Sequence, residues 1–380
     1  MEWLKMIRLN KLIPIITLLL SLATSLQASK WELSSDNTIV GLLMRGSTSQ
    51  TSIAYQYSQS KNRVNYNWSE TLSFSTWVDL ESYWANQSLT NSYIESINQR
   101  SSNLPISVYK QLYSRDNYRL STTLKRAYMR IKFFKGDMVY GLQHYPLGVG
   151  KIWRPTDIMN QYNPLNQLAL DRLGLVGVLY TYERSALSQW KIMVAHSRDS
   201  VTHKGARLGF NVNGIDVSGI IINTEQNEII GFDMIGALGK TGVNIYSEFA
   251  LNQDHNHGDR TVQAIIGFDT FLNSMMSMGI EGFYNENTST GDNTKYQQWN
   301  YPGKYYLGHI MQIQISPLIN YGNTTMINLS DKSVIILPKI SISIRNNIDG
   351  LMGGSIVLGK ENSEFKSYPQ QVFIGISYYY

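Results

Sequence analysis

Apolar and polar residues alternate along most of the chain beyond residue 30. Within 334–345, one face would carry Val334, Ile336, Ile340, Ile342 and Ile344, and the other Lys339, Ser341, Ser343 and Arg345. The same pattern recurs at 126–133, 262–269 and 311–316. Successive side chains of a strand point to opposite faces, so each segment predicts a β-strand with one apolar and one polar face.

A soluble secreted β-protein such as a sandwich shows the same alternation, so the period alone does not decide the fold. The segments are about 10 residues long, which is the length that crosses a bilayer as a tilted strand. Tyrosines cluster near segment ends, at 180–182, 305–306 and 378–380, as aromatic girdles do in outer-membrane barrels. A closed barrel also leaves no unpaired backbone in lipid. We therefore predict an all-β fold, a transmembrane antiparallel β-barrel.

The first 28 residues have the pattern of a secretory signal peptide. Lys5, Arg8 and Lys11 give a positive start, 12–22 is mainly apolar, and small residues up to Ala28 follow. Such a segment is cleaved during export, and its short apolar run argues against the alternative of a permanent anchor helix. We predict that the mature chain, 29–380, leaves the cytoplasm.

The composition agrees with an envelope protein. Charged residues make up 16% of the chain, against about 25% in average soluble domains. Tyr is abundant, with 25 residues beside 8 Trp and 11 Phe. The net charge of +5 is small and no basic run stands out, so nucleic acid is not an expected partner. The chain has no Cys, which excludes disulfides and thiolate chemistry.

The spacing of turn residues predicts 18 strands, with 14 or 16 left open. Short turns are expected at sites that include 61–62, 213–214 and 321–323, where Asn or Gly occurs. Longer polar stretches lie at 86–118, 148–172, 253–259, 287–302 and 361–369. Counting back from a periplasmic C-terminus places every long stretch at the outer end, as in outer-membrane barrels. No linker divides 29–380, so we predict one barrel domain.

The last ten residues alternate up to an aromatic C-terminus. Val372, Ile374, Ile376, Tyr378 and Tyr380 would share one face of this strand. The pattern resembles the C-terminal recognition strand of bacterial outer-membrane proteins, with Gly375, Tyr378 and Tyr380 in the expected places. The resemblance implies insertion by the barrel-assembly machinery. A terminal Phe is commoner in that strand, so Tyr380 is a mild departure.

The stretch 141–172 is too long and too apolar for a simple solvent loop, since residues such as Trp153 need a place to bury. We predict that 148–172 folds inward and narrows the lumen, because clusters of charged side chains set ion preference in constrictions. The residues assigned to this constriction are Lys151, Trp153, Arg154, Asp157, Asp171 and Arg172. The alternative is an external cap packed on neighbouring loops.

Charged residues at inward positions of the predicted strands have mixed sign. The basic residues assigned to the pore lining are Arg126, Arg130, Lys132, Lys339 and Arg345. The first three lie on one strand face within about 20 Å, a strip that favours anionic solutes. Acidic residues such as Glu248 and Glu281 also point inward, so charge pairing across the lumen is the alternative.

A family resemblance is carried by 141–157. Gly141 and Gln143 precede the run GVGKIWRPTD at 148–157. This is similar to the "G-x-Q … G-x-G-x-x-W-x-P-T-D" stretch of porin-like outer-membrane proteins, including alginate-export-like channels. Further matching residues are 329–333, Pro338, Ser363, Glu364 and Phe365. Leu147 stands where many such proteins have Trp. The resemblance implies a barrel that passes small solutes and names no solute.

Patterns for catalysis and metal binding are weak. His255 and His257, with Asp254 and Asp259, form a cluster with metal-ligand chemistry, but a solvated loop is the preferred interpretation. The sequence has no G-x-S-x-G, no H-E-x-x-H and no P-loop. We therefore predict that the protein is not an enzyme and uses no cofactor or metal.

Taken together, these patterns predict a porin-like channel for small polar solutes in a bacterial outer membrane. The expected partners are outer-membrane lipid, the barrel-assembly machinery and the solute, and a homo-oligomer is left open. The alternative is a structural or assembly barrel whose lumen is plugged. A barrel enzyme acting on lipid or envelope polymer is the third interpretation.

Overall fold

The computed structural model describes residues 30–45, 52–86, 108–160, 164–165, 167, 174–185, 187–196, 202–255, 258–286 and 301–380. The predicted signal peptide, 1–28, lies outside these ranges, and so do Asp171, Arg172 and His257. For the His and Asp residues at 254–259 a solvated loop is the preferred interpretation; Asp254 ends β12, and His255 and Asp259 lie in the connection to β13. No group of three or more His, Cys, Asp or Glu side chains placed for a metal occurs in the described ranges.

The described chain is built almost entirely of strands. They are β1 (Trp31–Arg45), β2 (Ser52–Asn67), β3 (Leu72–Ala85), β4 (Tyr109–Arg115), β5 (Tyr118–Phe133), β6 (Gly136–Gln143), β7 (Leu175–Ser185), β8 (Ser188–His196), β9 (Thr202–Val212), β10 (Ile215–Asn223), β11 (Asn227–Ala237), β12 (Val243–Asp254), β13 (Arg260–Asn273), β14 (Met276–Asn285), β15 (Tyr305–Ser316), β16 (Ile319–Asn328), β17 (Ser333–Arg345), β18 (Ile348–Leu358) and β19 (Gln370–Tyr379). A short 3₁₀ turn spans Phe365–Ser367. Within the described ranges, no helix has the length and apolarity needed to span a membrane.

Eighteen of the strands in the described ranges close into one antiparallel barrel. Each pairs with its neighbours along the chain, and β1 pairs with β19 from Asp36↔Tyr379 to Arg45↔Gln370 to complete the ring. The short β4 is additional, because β3 pairs directly with β5. β4 lies along the first half of β5, and β6 pairs with the second half. The prediction of an 18-stranded all-β barrel is therefore confirmed.

The outer face of the barrel is apolar and exposed. Ile374, Val372 and Leu43 are 67%, 63% and 59% exposed, while residues between them, such as Phe373 and Leu42, are buried. A continuous apolar surface of this extent is unfavourable in water and is matched by lipid. Among the described residues, each of the eighteen ring strands has a partner on both sides, which is the condition for a β-structure in a bilayer.

Two predicted hairpin turns lie inside strands instead. Residues 61–62 belong to β2, which stays paired with β1 from Trp31↔Tyr66 onward, and 321–323 belong to β16. Both sites stay in strands because their residues are paired on each side: Asn62 pairs with Ser35 and Val78, and Gly322 pairs with Gln312 and Lys339. The turns lie at 68–71 and 317–318, and the predicted turn at 213–214 is confirmed.

The connections divide between the two ends of the barrel. One end of the barrel carries the short turns, together with the start of β1 and the end of β19. The other end carries the longer connections, including 144–174 and 359–369. Outer-membrane barrels have this arrangement, with the longer loops on the extracellular side. We call this the long-loop end.

Candidate functional site

Residues 144–160, which follow β6, lie against the inner wall of the barrel, and we call them the inner segment. Their contacts include Glu248 on β12 and Glu281 on β14. The sequence neighbours Phe249 and Ile280 are 40% and 45% exposed on the outer face, whereas both glutamates are buried. By the alternation of strand side chains, the glutamates therefore point into the lumen.

Glu248 accepts hydrogen bonds from two parts of the inner segment. The backbone N–H groups of Val149 and Gly150 donate to its Oε2 at 2.9 and 3.3 Å. The backbone N–H and the hydroxyl of Thr156 both donate to its Oε1 at 2.6 Å. One carboxylate thus joins both sides of the turn formed by 149–156.

Glu281 binds the residues between those two contacts. The backbone N–H groups of Lys151 and Trp153 donate to it at 2.8 Å each, and that of Ile152 donates at 3.3 Å. A buried N–H without a partner costs free energy, and a loop offers no strand partner. The two carboxylates supply those partners through charge-assisted bonds, and runs of backbone N–H groups are known anion sites.

The motif glycines are required by this arrangement. Gly148 has a φ of +73°, and a Cβ added there would lie 2.6 Å from Oε2 of Glu248. A Cβ on Gly150 would overlap the carbonyl oxygen of Trp153. Glycine is the residue that fits both a left-handed backbone and so close an approach. The G-x-G spacing of the sequence motif therefore has a physical explanation here.

Trp153 anchors the inner segment in an aromatic cluster. Its ring stacks on Phe283 with centroids 5.3 Å apart, and the rings of Tyr306 and Tyr301 lie at 5.9 and 6.3 Å. Only 2% of the Trp153 side chain and 5% of Phe283 are exposed. Such aromatic contacts add to the free energy of burial, so the cluster fixes the segment to the wall of β14 and β15.

The charged residues of the inner segment have different environments. Lys151 forms an ion pair with Asp269 at 2.7 Å and keeps 39% of its side chain exposed. Arg154 donates from Nε to the carbonyl of Gly150 at 2.7 Å. Asp157 is 1% exposed and accepts a hydrogen bond from the backbone N–H of Asn160 at 3.1 Å. Lys151 is thus exposed in the lumen and Arg154 is partly exposed there. Asp157 is buried and stabilises the backbone of the inner segment through its bond with Asn160.

The other basic residues assigned to the pore lie on β5 and β17. Arg126 is buried and its guanidinium lies 5.7 Å from the ring of Trp77, whereas Arg130 and Lys132 are exposed. On β17, Lys339 donates to the carbonyl of Gln167 at 3.3 Å. Arg345 is exposed at the short-turn end of the same strand.

Charge pairing also occurs on the inner wall. Arg207 binds Asp233 through two bonds of 3.0 and 3.3 Å. Lys125, displaced by a register shift in β5, lies 3.6 Å from Asp79. Gln59 bridges Asp79 and Glu81 at 3.0 and 3.1 Å. The Lys125–Asp79 pair joins neighbouring strands of the ring, and the Arg207–Asp233 pair joins β9 and β11 on either side of β10. Both pairs lie along the wall rather than across the lumen.

The second resemblance stretch comes together at the long-loop end. The backbone N–H of Glu364 donates to Asp331 at 2.7 Å, and that of Phe365 donates to the Ser333 hydroxyl at 3.2 Å. The Glu364 carboxylate accepts bonds of 2.7 Å from Tyr306 and Asn328. The pKa of Glu364 is raised to about 7, chiefly because burial removes its carboxyl group from water.

Solved barrels are similar to this structure over almost its whole length. OccAB4 of Acinetobacter baumannii has a TM-score of 0.57 at 8% sequence identity, covering 93% of this chain and 99% of that one. OccK11 (OpdR) of Pseudomonas aeruginosa has a TM-score of 0.54 at 10% identity, covering 92% and 95%. OccK7 (OpdD) of the same organism has 0.54 at 11%, covering 93% and 99%. The sequence matches no protein-family model and no curated protein.

The likeness shows the fold. This chain has a porin-like fold, a closed transmembrane β-barrel. An outer-membrane location follows from a closed antiparallel ring with an apolar exterior, since barrels of this kind span outer membranes. These structural neighbours are Occ proteins, so they support the porin-like part of the sequence resemblance rather than its alginate-export-like part.

Sequence reasoning identified Glu248 and Glu281 as inward-facing acids and missed their contacts with the inner segment. Thr156 and Glu248 are 92 residues apart in the chain, and Lys151 and Glu281 are 130 apart. No local spacing connects them. The available signal was an acidic residue in the middle of an otherwise uncharged stretch of strand, at 247–251 and 278–283.

Proposed function

We propose that this barrel is a channel for small polar solutes and that the inner segment narrows its lumen. One observation carries the proposal: the backbone of 149–156 is bonded to two glutamates that point inward from the barrel wall. A ring of 16 to 18 strands leaves an aqueous channel when nothing fills it. A segment attached inside that ring reduces the open cross-section.

The chemistry of the remaining wall supports a polar solute. β2, β3 and β5 lie across the ring from β12–β14, and their inward positions carry charged and hydrogen-bonding side chains. Examples are Arg63, whose guanidinium lies 4.6 Å from the ring of Trp77, and the exposed Arg130 and Lys132. Passage between this wall and the exposed Lys151 is the proposed route, and preference for anions stays a prediction.

The constriction is tested by releasing the segment from its anchors. A Glu248→Gln, Glu281→Gln double variant places amide groups beside backbone N–H donors, and each donor left without an acceptor costs about 1–3 kcal/mol. We expect a larger and noisier single-channel conductance in planar bilayers than for the parent protein. Deletion of 151–168 should raise the conductance further.

Glu183→Gln is the matched control, since Glu183 is also an inward position but lies on β7 near a short turn, away from the inner segment. Its conductance should equal that of the parent. An unchanged conductance in both the double variant and the deletion would refute the constriction. Reversal potentials in a salt gradient measure selectivity, and several-fold preference for cations would refute the anion prediction.

A plugged structural barrel is the second candidate. Two clusters of buried side chains favour it, because the inner segment contributes Tyr145, Leu147 and Met159 to one and Ile152 and Trp153 to the other. A plugged lumen predicts no conductance at any voltage in the parent and a measurable conductance after the 151–168 deletion.

The partners follow from the C-terminal strand and the apolar exterior. Gly375, Tyr378 and Tyr380 are proposed as the signal read by the barrel-assembly machinery, with Tyr378 and Tyr380 38% and 40% exposed on the outer face. A homo-oligomer and an alginate-export-like affiliation stay predictions; the first is decided by mass measurement in detergent and the second by the solute that passes. Neither an enzyme activity nor a cofactor is part of this proposal.

A further inference from the structure

A groove of about 480 Å³ lies where β17, β18, β19 and β1 run side by side. Its lining includes Leu43, Met352, Ile356 and Val372, all of which are exposed. These side chains occupy the outward positions of their strands, so the groove opens to the outside of the barrel, where lipid lies.

The groove forms where the wall contains glycines and where the hydrogen bonds between β17 and β18 are interrupted. Gly353 and Gly354 form part of the lining opposite Pro338, which has no N–H to give to the next strand. In the pairing of β17 with β18, Ile336 lies opposite Ile356 and Lys339 opposite Gly353, and the ladder skips this proline. The Gly354 carbonyl instead accepts a bond of 2.6 Å from the Gln167 side chain inside the barrel, which holds the depression in the wall.

One end of the groove is polar. Arg45, Ser52 and Gln370 lie there, paired opposite one another at the long-loop ends of β1, β2 and β19. Arg45 follows Leu43 by two positions and therefore also faces outward. Because the long-loop end faces the cell exterior in outer-membrane barrels, we expect the Arg45 guanidinium at the level of the outer-leaflet headgroups.

We propose that this groove is a binding site for a phosphate-bearing lipid of the outer leaflet. One acyl chain lies along the apolar walls, where Met352 and Ile356 are about 14 Å apart along the strand. Arg45 binds the headgroup phosphate, which a guanidinium can hold with two parallel hydrogen bonds. The position of one cation at the mouth of an apolar groove matches an anionic amphiphile.

Native mass spectrometry of the full-length barrel in mild detergent, titrated with diphosphorylated lipid A, tests the site. We expect one lipid to bind per barrel. Arg45→Gln should weaken binding about tenfold, the effect of losing charge-assisted bonds. Val372→Trp, which fills the groove, should weaken it to a similar extent, and dephosphorylated lipid A should bind the parent as weakly as lipid A binds Arg45→Gln.

Lys204→Gln is the matched control, because Lys204 is an exposed, outward-facing cation at the long-loop end of β9, outside the groove. It should bind lipid A like the parent. Equal binding by Arg45→Gln and Lys204→Gln, no effect of Val372→Trp, or no retained lipid at all would each overturn the proposal. Heat-modifiable migration establishes that every variant is folded, and the channel conductance is measured separately, so failure of this site leaves the channel proposal intact.

Discussion

At the scale of single residues, the unusual feature is the use of buried carboxylates to hold a loop. Glu248 is 0% exposed and Glu281 is 1% exposed. Removing a carboxylate from water costs several kcal/mol. Hydrogen bonds from backbone N–H groups offset that cost. They also satisfy the N–H groups, which would otherwise be buried without partners. The glutamates are therefore positioning residues of the inner segment.

Gly148→Ala tests how closely the segment fits its anchor. The new Cβ would need a left-handed backbone and would meet the Glu248 carboxylate, so we expect the docked segment to lose about 1–3 kcal/mol. Hydrogen exchange of 144–160 measures this loss.

Gly214→Ala provides the control, because Gly214 also has a positive φ, +84°, but open space where the Cβ would lie. The Gly214→Ala substitution should lower the stability of its own turn through backbone strain and leave hydrogen exchange in 144–160 unchanged. Equal effects of the two substitutions on that exchange would contradict the close contact with Glu248.

At the scale of elements, two long connections pack against the inner wall of the barrel and share one set of contacts. The inner segment and the loop 359–369 meet the same aromatic cluster, since Tyr306 contacts Trp153 and also lies 6.4 Å from Phe365 between ring centroids. Both loops therefore depend on the same short stretch of β15. Docking of the loop 359–369 should respond to pH, because the carboxyl group of Glu364 is half-buried there.

The expected pH response has a definite sign. The pKa of Glu364 is raised from the ordinary value of 4.5 to about 7, so between these values the docked state binds more protons than the undocked one. Its stability is then greatest below pH 4.5, falls as the pH rises, and levels off above pH 7. Hydrogen exchange of 363–368, corrected for intrinsic rates, should show weaker protection at pH 8.5 than at pH 5.

Glu364→Gln is the control for this prediction. An amide keeps the shape but does not titrate, so protection in the variant should be independent of pH over the same range. Protection that increases with pH in the parent would contradict the assigned sign.

At the scale of the whole molecule, closure of the ring dominates. Every strand of the ring has a partner on both edges, including β1 with β19, and unfolding in a membrane or detergent would expose backbone groups without water. We expect heat-modifiable migration on a denaturing gel, with the unheated protein running faster than the boiled one. A protein that stays soluble and monodisperse without detergent would contradict the transmembrane barrel.

Much of this barrel can be predicted from residues that are close together in the sequence. The alternation in 334–345 and 370–380 predicts strands with one lipid-facing side because side chains two positions apart share a face. Local reasoning was wrong at 61–62 and 321–323, where turn-forming residues lie in β2 and β16 and the pairing of the neighbouring strands prevails. The strand number and the position of the long connections were predictable for the same local reason.

The sequence by itself determined that the chain alternates, and it predicted that the chain closes into a barrel, faces lipid and turns inward within 148–172. Only the tertiary structure decided that Glu248 and Glu281 hold this turn, and that Arg45 stands at the mouth of a groove formed with β17 and β18. The physical reason is distance along the chain. Alternation acts between residues two apart, whereas these contacts join residues about a hundred or more apart, and the register around the ring brings them together.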